Sequence, residues 1–246
     1  MDKKADKPIT TIFFDFGKTL HDFNLDPFFI WLAKKCYLPR RKLWGIFGNY
    51  PDGLIFPYEC GQETKDFLDK FRQKCIELYR ADRLEKKISA YRLPKFSDEE
   101  FITKWCEILD PSPASKDRIE FLDRLKRKGY KLYILSNSNP LHRDYIKSTP
   151  RFRKLLSFFE HFIASCDADI MCRKTKMFAD GSNRNECETI FNKALAISGS
   201  FLKTTLYIDD VADYVSVFRA MGGYGIHHRG SWTQIEAEFY KLGLKW

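Results

Sequence analysis

Short apolar runs that stop abruptly at a polar residue give this chain its pattern. Ile12-Phe13-Phe14 stops at Asp15, with Gly17 just beyond; Tyr130–Leu135 stops at Ser136-Asn137, and Thr205–Ile208 at Asp209-Asp210. Unbroken runs of β-formers predict strands buried on both faces, as inside a parallel sheet. The first strand is expected over about 9–16, with shorter ones at His161–Ser165 and Tyr224–His227. Elsewhere the apolar spacing is helical. Asp26-Pro27 predicts a helix running to about Tyr37, with the Asp as cap and the Pro in the first turn. Phe67, Leu68, Phe71, Cys75, Leu78 and Tyr79 share one face of a helix over Thr64–Ala81. Ser97 and Glu100 read as a capping box ahead of Phe101, Ile102, Trp105 and Ile108. Gly45, Gly48, Pro51, Gly53 and Pro57 predict an irregular connection. Further helices are expected around Ile119, Leu122 and Leu125, ended by Gly129, and over Glu186–Ala196, Val211–Met221 and Trp232–Leu242.

One strand, then helices without a strand, then strands alternating with helices predicts an α/β protein. The expected architecture is a Rossmann-like, doubly wound parallel sheet covered on both faces, interrupted by an α-helical insertion. The expected boundaries are 1–23 and 113–246 for the α/β core and 24–112 for the helical part.

Composition narrows the function classes. With 246 residues, 44% hydrophobic and 16% aromatic, the chain can bury a sizeable core. No apolar run approaches the roughly 20 residues of a membrane span. The start, Met1-Asp2-Lys3-Lys4, has no apolar signal core, so a soluble cytoplasmic protein without a membrane partner is expected. Seven cysteines without a C-x-x-C pair read as free, mostly buried thiols, and no cluster has zinc spacing. The net charge of +9 favours acidic partners. However, the basic residues are dispersed, and the run Arg124–Lys128 lies beside Glu120 and Asp123 on a predicted helix. It reads as a solvated face, so charge does not argue for a nucleic-acid partner. His227-His228 reads as structural or solvated.

The strand ends carry the candidate chemistry, because open α/β sheets place ligands beyond the carboxyl ends of their strands. A carboxylate at Asp15 can attack phosphorus and form an aspartyl-phosphate. Asp209 and Asp210 repel each other unless a cation intervenes, and with Asp15 they make a hard-oxygen set suited to Mg2+. The hydroxyl of Ser136 and the amide of Asn137 can hold phosphoryl oxygens.

These stretches together resemble the haloacid dehalogenase (HAD) superfamily, most of whose members are magnesium-dependent phosphatases. The first motif, D-x-D-G-T-L after a hydrophobic strand, stands here as Asp15-Phe16-Gly17-Lys18-Thr19-Leu20. The resemblance puts the nucleophile at Asp15, and Gly17 where the second Asp serves as general acid and base. Lys18 stands at the Gly position, where its cation could reach phosphate, and Thr19 is kept beside it as a phosphate-side residue. The backbone carbonyl two residues past the nucleophile joins the metal ligands in the family, which Gly17 can still supply. Ile208–Val215 resembles the fourth motif, with Tyr214 in place of Asn. Lys174 would be the third-motif lysine holding Asp15 and the phosphate, with Lys176 competing for the assignment and Thr175 in place of the usual Pro. Leu135–His142, reading L-S-N-S-N-P-L-H, resembles the L-S-N-T-N-x-x-H of a branch that includes bacterial α-D-glucose-1-phosphatases. That match adds His142 to the substrate side, and the branch also has members whose first motif reads D-x-G-N. Glu59-Cys60-Gly61 resembles its E-x-G segment. The resemblance spans about 9–228 and is weakest over 24–112 and after Lys174, where 179–185 reads as an inserted surface loop.

The resemblance implies a magnesium-dependent phosphohydrolase for a small phosphorylated metabolite, with residues 24–112 as a helical cap. Gly17 carries the alternative of a HAD-fold binding or regulatory protein without turnover. Lys18, His21, Asp22 and His142 are considered as replacements for the missing acid, but each reads first as structural or substrate-binding. C–halogen hydrolysis also dispenses with the second Asp, but it needs no metal, against which Asp209-Asp210 argues. A phosphonate hydrolase would need a Schiff-base lysine in the cap, and no lysine there is singled out.

Overall fold

A computed structural model describes residues 8–48, 52–86, 94–110, 115–175 and 184–244. The first strand, β1 (Thr11–Phe14), is followed by α1 (Asp26–Cys36), α2 (Arg40–Gly48), α3 (Ile55–Glu59), α4 (Thr64–Lys86), α5 (Asp98–Cys106) and α6 (Lys116–Arg127). Then come β2 (Lys131–Ser136), α7 (Pro140–Ser148), α8 (Arg153–Leu156), β3 (His161–Ala164), α9 (Arg184–Ser198), β4 (Thr205–Asp209), α10 (Ala212–Ala220), β5 (Tyr224–His227) and α11 (Trp232–Lys241). The strands form one parallel sheet in the order β3-β2-β1-β4-β5.

The unbroken apolar runs explain this layout. Side chains alternate across a strand, so a central strand buried on both faces needs apolar residues at every position. Ile12, Phe14, Leu132, Ile134, Leu206 and Ile208 pack on one side with Phe121, Leu122 and Leu125 of α6 and Ile235 and Phe239 of α11. Phe13, Tyr133, Leu135 and Tyr207 pack on the other with Phe191 of α9 and Val215 and Phe218 of α10. Phe13 and Phe14 have no exposure, and each contributes about 1.5–3 kcal/mol by leaving water. The predicted doubly wound α/β sheet is therefore present.

Helices α1, α2, α4 and α5 share an aromatic core of Phe28, Phe47, Phe67, Phe71, Phe101 and Trp105. Ser97 accepts the Glu100 N–H at 3.1 Å and caps α5, as its spacing predicts. Contacts tie these helices to the sheet. The Ser165 hydroxyl, just past β3, donates to the Glu59 carbonyl at 2.6 Å. The His142 ring stacks on Trp105 with centroids 4.7 Å apart.

Several expectations need correction. Gly45 and Gly48 lie in α2 and Pro57 in α3, rather than in an irregular connection. Burial of Leu43, Ile46 and Phe47 outweighs the roughly 1 kcal/mol helical cost of each glycine. Asp26 is inside α1 and is not its cap; Asn24 Oδ1 accepts the Asp26 N–H at 3.0 Å instead. Arg118, on which the sequence raised no expectation, is buried on the inner face of α6, where its guanidinium donates to the Leu20 carbonyl. Pro51, Lys176 and residues 179–183 of the expected loop lie outside the described residues; 184 and 185 open α9. Among the described residues no helix is long and apolar enough to cross a membrane.

Candidate active site

The central position of β1 creates the site. Its register aligns Phe14 with Ile134 of β2 and Ile208 of β4, so the residues that follow on each strand emerge side by side. The Asp15 N–H extends the ladder by one bond, to the Ile208 carbonyl at 2.8 Å. Asp15, Asp209 and Asp210 each present a carboxylate oxygen, all within 4.8 Å of one another.

Lys174 enters this cluster from the segment after β3. Its ammonium donates to Asp15 Oδ1 at 2.5 Å, Asp209 Oδ2 at 2.8 Å and the Leu135 carbonyl at 3.1 Å. It also lies 5.5 Å from the Tyr207 ring centre and 5.4 Å from that of Tyr214. Asp209 is held further by the Val211 N–H, at 2.7 Å to Oδ1, and by the Tyr207 hydroxyl, which donates to Oδ2. Asn137 pins the other end of Lys174: Asn137 Nδ2 donates to the Lys174 carbonyl at 3.0 Å, and Oδ1 accepts the Lys174 N–H at 2.7 Å.

Burial pushes the Asp15 carboxyl up to about 7; Lys174 opposes the shift and Asp209 adds to it. Asp210 is also raised, by burial and by Asp209. For Lys174, burial disfavours the charge, but the two carboxylates outweigh it and hold the ammonium above its usual range. Three carboxylates against one buried ammonium leave the cluster short of positive charge. A hard divalent cation bound through oxygen corrects that deficit, so the residues fit a metal site of Asp15, Asp209 and Asp210.

A cavity of about 450 Å³ opens above these groups. Asp15, Gly17, Lys18, Ser136, Asn137, His142, Lys174, Asp209 and Asp210 all line it. Phe23, Phe29, Trp44, Phe56 and Trp105 supply aromatic walls. Arg173 and Glu59 add an ion pair of 2.9 Å, with the guanidinium 4.3 Å from the Phe56 ring centre.

The remaining candidates are placed differently. Thr19 is fully buried and does not line the cavity, and its hydroxyl has no hydrogen-bond partner among the described residues. Lys18 is exposed at the cavity, in a left-handed backbone conformation (φ 55°) that glycine adopts more easily. The Ser136 hydroxyl donates weakly to the Asn137 carbonyl at 3.3 Å. His21 is buried with Nε2 2.5 Å from the Leu109 carbonyl. His142 Nε2 donates to the Trp105 carbonyl at 2.9 Å, and Nδ1 accepts from Asn139 Nδ2 at 3.1 Å. Burial holds the His142 ring neutral, with its pKa lowered to about 4. Sequence reasoning did not find Phe23, Arg173 or Tyr207. Only Tyr207 carried a signal, as a β4 residue two positions before Asp209.

A Cβ built on Gly17 would lie 2.8 Å from Phe23 Cε1. The space for a side chain at position 17 is therefore filled by the Phe23 ring.

No protein-family model and no curated protein sequence matches the chain. Solved structures do. A predicted HAD-like family hydrolase from Porphyromonas gingivalis is 24% identical with a TM-score of 0.65, covering 97% of this chain and 100% of its own. The HAD family enzyme bt-2542 from Bacteroides thetaiotaomicron, in complex with magnesium and inorganic phosphate, is 20% identical with a TM-score of 0.59, covering 92% and 98%. The L-2-haloacid dehalogenase RSc1362 is 16% identical with a TM-score of 0.54, covering 91% and 87%. A common fold with distinct chemistries leaves the reaction to be argued from the residues. With its five-stranded parallel sheet and these neighbours over nearly its whole length, the protein has the fold of the HAD-like hydrolases.

Proposed function

We propose that this protein is a magnesium-dependent phosphohydrolase that acts on a small phosphorylated metabolite through an aspartyl-phosphate at Asp15. The observation that carries the reading is the Asp15–Lys174–Asp209 arrangement, 2.5 and 2.8 Å on either side of one buried ammonium, with Asp210 beside it. A bound Mg2+, held by Asp15, Asp209, Asp210 and the Gly17 carbonyl, would supply charge neutralisation and Lewis acidity. The magnesium and phosphate found with bt-2542 support this choice of ion and substrate.

The chain's own groups do the rest. Lys174 fixes Asp15 Oδ1, leaving Oδ2 to attack phosphorus. Ser136 and Lys18 line the cavity where phosphoryl oxygens would lie. The leaving group departs with the bonding electrons, and water then attacks phosphorus, releasing phosphate and restoring the carboxylate. Residues 24–112 serve as the cap that selects the substrate, since Phe29, Trp44, Phe56 and Trp105 come from it.

The test is phosphate release from a panel of phosphate esters with and without magnesium, beside Asp15→Asn. Metal-dependent release that Asp15→Asn removes is expected; undiminished release in that variant refutes the nucleophile. A second reading, binding without turnover, is favoured by the Phe23 ring standing where an acid at position 17 would go. It predicts that magnesium and phosphate raise the melting temperature while no ester is hydrolysed.

A further inference from the structure

The pair Gly17 and Phe23 defines the side of the cavity where a leaving group would depart. A Cβ on Gly17 falls 2.8 Å from Phe23 Cε1 and 3.9 Å from Asp15 Oδ2. The first distance is too short for any side chain at 17 unless Phe23 moves. The second places that filled spot beside the Asp15 oxygen that Lys174 does not hold. Among the described residues, several candidate proton donors near the cavity are already engaged, Asp22 among them through its ion pair with Arg118. His21 and His142 are committed to the Leu109 and Trp105 carbonyls. Glu59 is paired with Arg173. Lys18 Nζ, 5.6 Å from the Phe23 ring centre, brings positive charge to the same rim. The leaving-group side is thus an aromatic wall edged by a cation, and position 17 brings no carboxylic acid to it.

We infer that this site, read as the phosphohydrolase proposed above, takes phosphate esters of aromatic alcohols. Such a leaving group departs as a stabilised phenolate and needs no proton from the enzyme. In the step, an Asp15 oxygen bonds to phosphorus as the bond from phosphorus to the aryl oxygen breaks. The electron pair leaves with the phenolate, which later takes its proton from solvent. Phe23, Phe29, Trp44 and Phe56 offer ring faces and edges to the departing aryl group. A sugar or alkyl ester would depart as an alkoxide, into a cavity whose walls are mostly apolar.

The experiment uses the full chain with magnesium and four esters: p-nitrophenyl, phenyl and benzyl phosphate and a hexose phosphate. Benzyl phosphate keeps the ring but leaves as an alkoxide, so it separates ring recognition from leaving-group stability. Expected is a kcat/KM for p-nitrophenyl phosphate about 10²–10⁴ above that for benzyl phosphate, the usual worth of a general acid. A ratio below about tenfold, which a working acid would give, overturns the inference and leaves the phosphohydrolase standing, as does a preference for the hexose phosphate. No magnesium-dependent release from any ester removes both readings. A variant pair adds a second arm. Phe23→Ala/Gly17→Asp, with an acid in vacated space, is expected to raise the ratio of benzyl to p-nitrophenyl phosphate turnover about tenfold or more over that of Phe23→Ala. Equal gains for both esters would also overturn the inference.

Discussion

The side-chain amide of Asn137 pairs with the main chain of Lys174 on both edges, accepting its N–H at 2.7 Å and donating to its carbonyl at 3.0 Å. One short polar side chain thereby does what a neighbouring strand would do, for a residue that belongs to no strand. The ammonium at the far end of that lysine can meet Asp15 and Asp209 only because its backbone is fixed.

Asn137→Ala should therefore act through Lys174. Two main-chain groups of a buried residue lose their partner, at a cost of about 1–3 kcal/mol each where water cannot replace it. A denaturant midpoint lowered accordingly, with phosphate release falling more than stability alone explains, is the expected outcome. Asn137→Asp keeps the acceptor but not the donor and should lie between. Equal stability in all three proteins would show that the pairing contributes nothing.

Removing the ammonium should cost more. Lys174→Met leaves Asp15 and Asp209 buried without their cation, and breaking a buried ion pair from one side costs about 3–5 kcal/mol. Magnesium should then raise the melting temperature of the variant by more than that of the parent, because the ion meets a larger charge deficit. A smaller rise in the variant would mean that Lys174 helps to assemble the metal site rather than competing with the ion for its charge.

The metal-free protein should carry a pH signature of Asp15. Burial lifts this carboxyl from 3.8 to about 7, so between those values the folded chain holds a proton that the unfolded chain has released. Stability from this group therefore falls as pH rises through that window. His142 has the opposite sign: its ring is lowered from 6.5 to about 4, so its contribution rises with pH over that range. The difference between the parent and Asp15→Asn isolates the carboxylate. In urea titrations, the variant should gain on the parent as pH goes from about 4 to about 7. A constant difference would mean that Asp15 is already ionised at the low end.

In the proposed phosphohydrolase cycle, Gly17 would offer no side-chain base to activate the water of the second half. With p-nitrophenyl phosphate, a burst of nitrophenolate approaching one equivalent per site should precede a slower steady rate. Mass spectrometry of acid-quenched protein should find one phosphoryl group, absent in Asp15→Asn. A linear time course with unmodified protein at every time point would place another base in the site.

The floor of the site was legible because buried strands must be apolar throughout, so an acid at their end stands out. Asp15, Asp209 and Asp210 are all such residues, and β1 and β4 are neighbours in register. Lys174 had no periodic signal, since the segment around it is irregular, and only family resemblance pointed to it. Phe23 was illegible for a related reason. It lies in the loop between β1 and α1, where no spacing rule applies, and its importance comes from a contact with Gly17 made in three dimensions. Arg118 drew no reading from the sequence. A charged residue on a helix reads as solvated, yet its guanidinium is buried to hold the Leu20 carbonyl. His21 and His142 were visible as titratable groups, but the sequence could not show that backbone carbonyls occupy them.

The carboxylates and Lys174 stand on β1, β4 and the segment after β3, while Phe29, Trp44, Phe56 and Trp105 hang from α1, α2, α3 and α5. These two sets are inherited on different stretches of chain. Under the proposed function, a substitution among these four aromatic residues would change what the cavity admits while leaving the carboxylates on their own stretch of chain. The two stretches meet where Arg173, beside Lys174 in the chain, pairs with Glu59 of α3, where Ser165 bonds the Glu59 carbonyl and where His142 stacks on Trp105. At these contacts a change in one stretch is felt in the other.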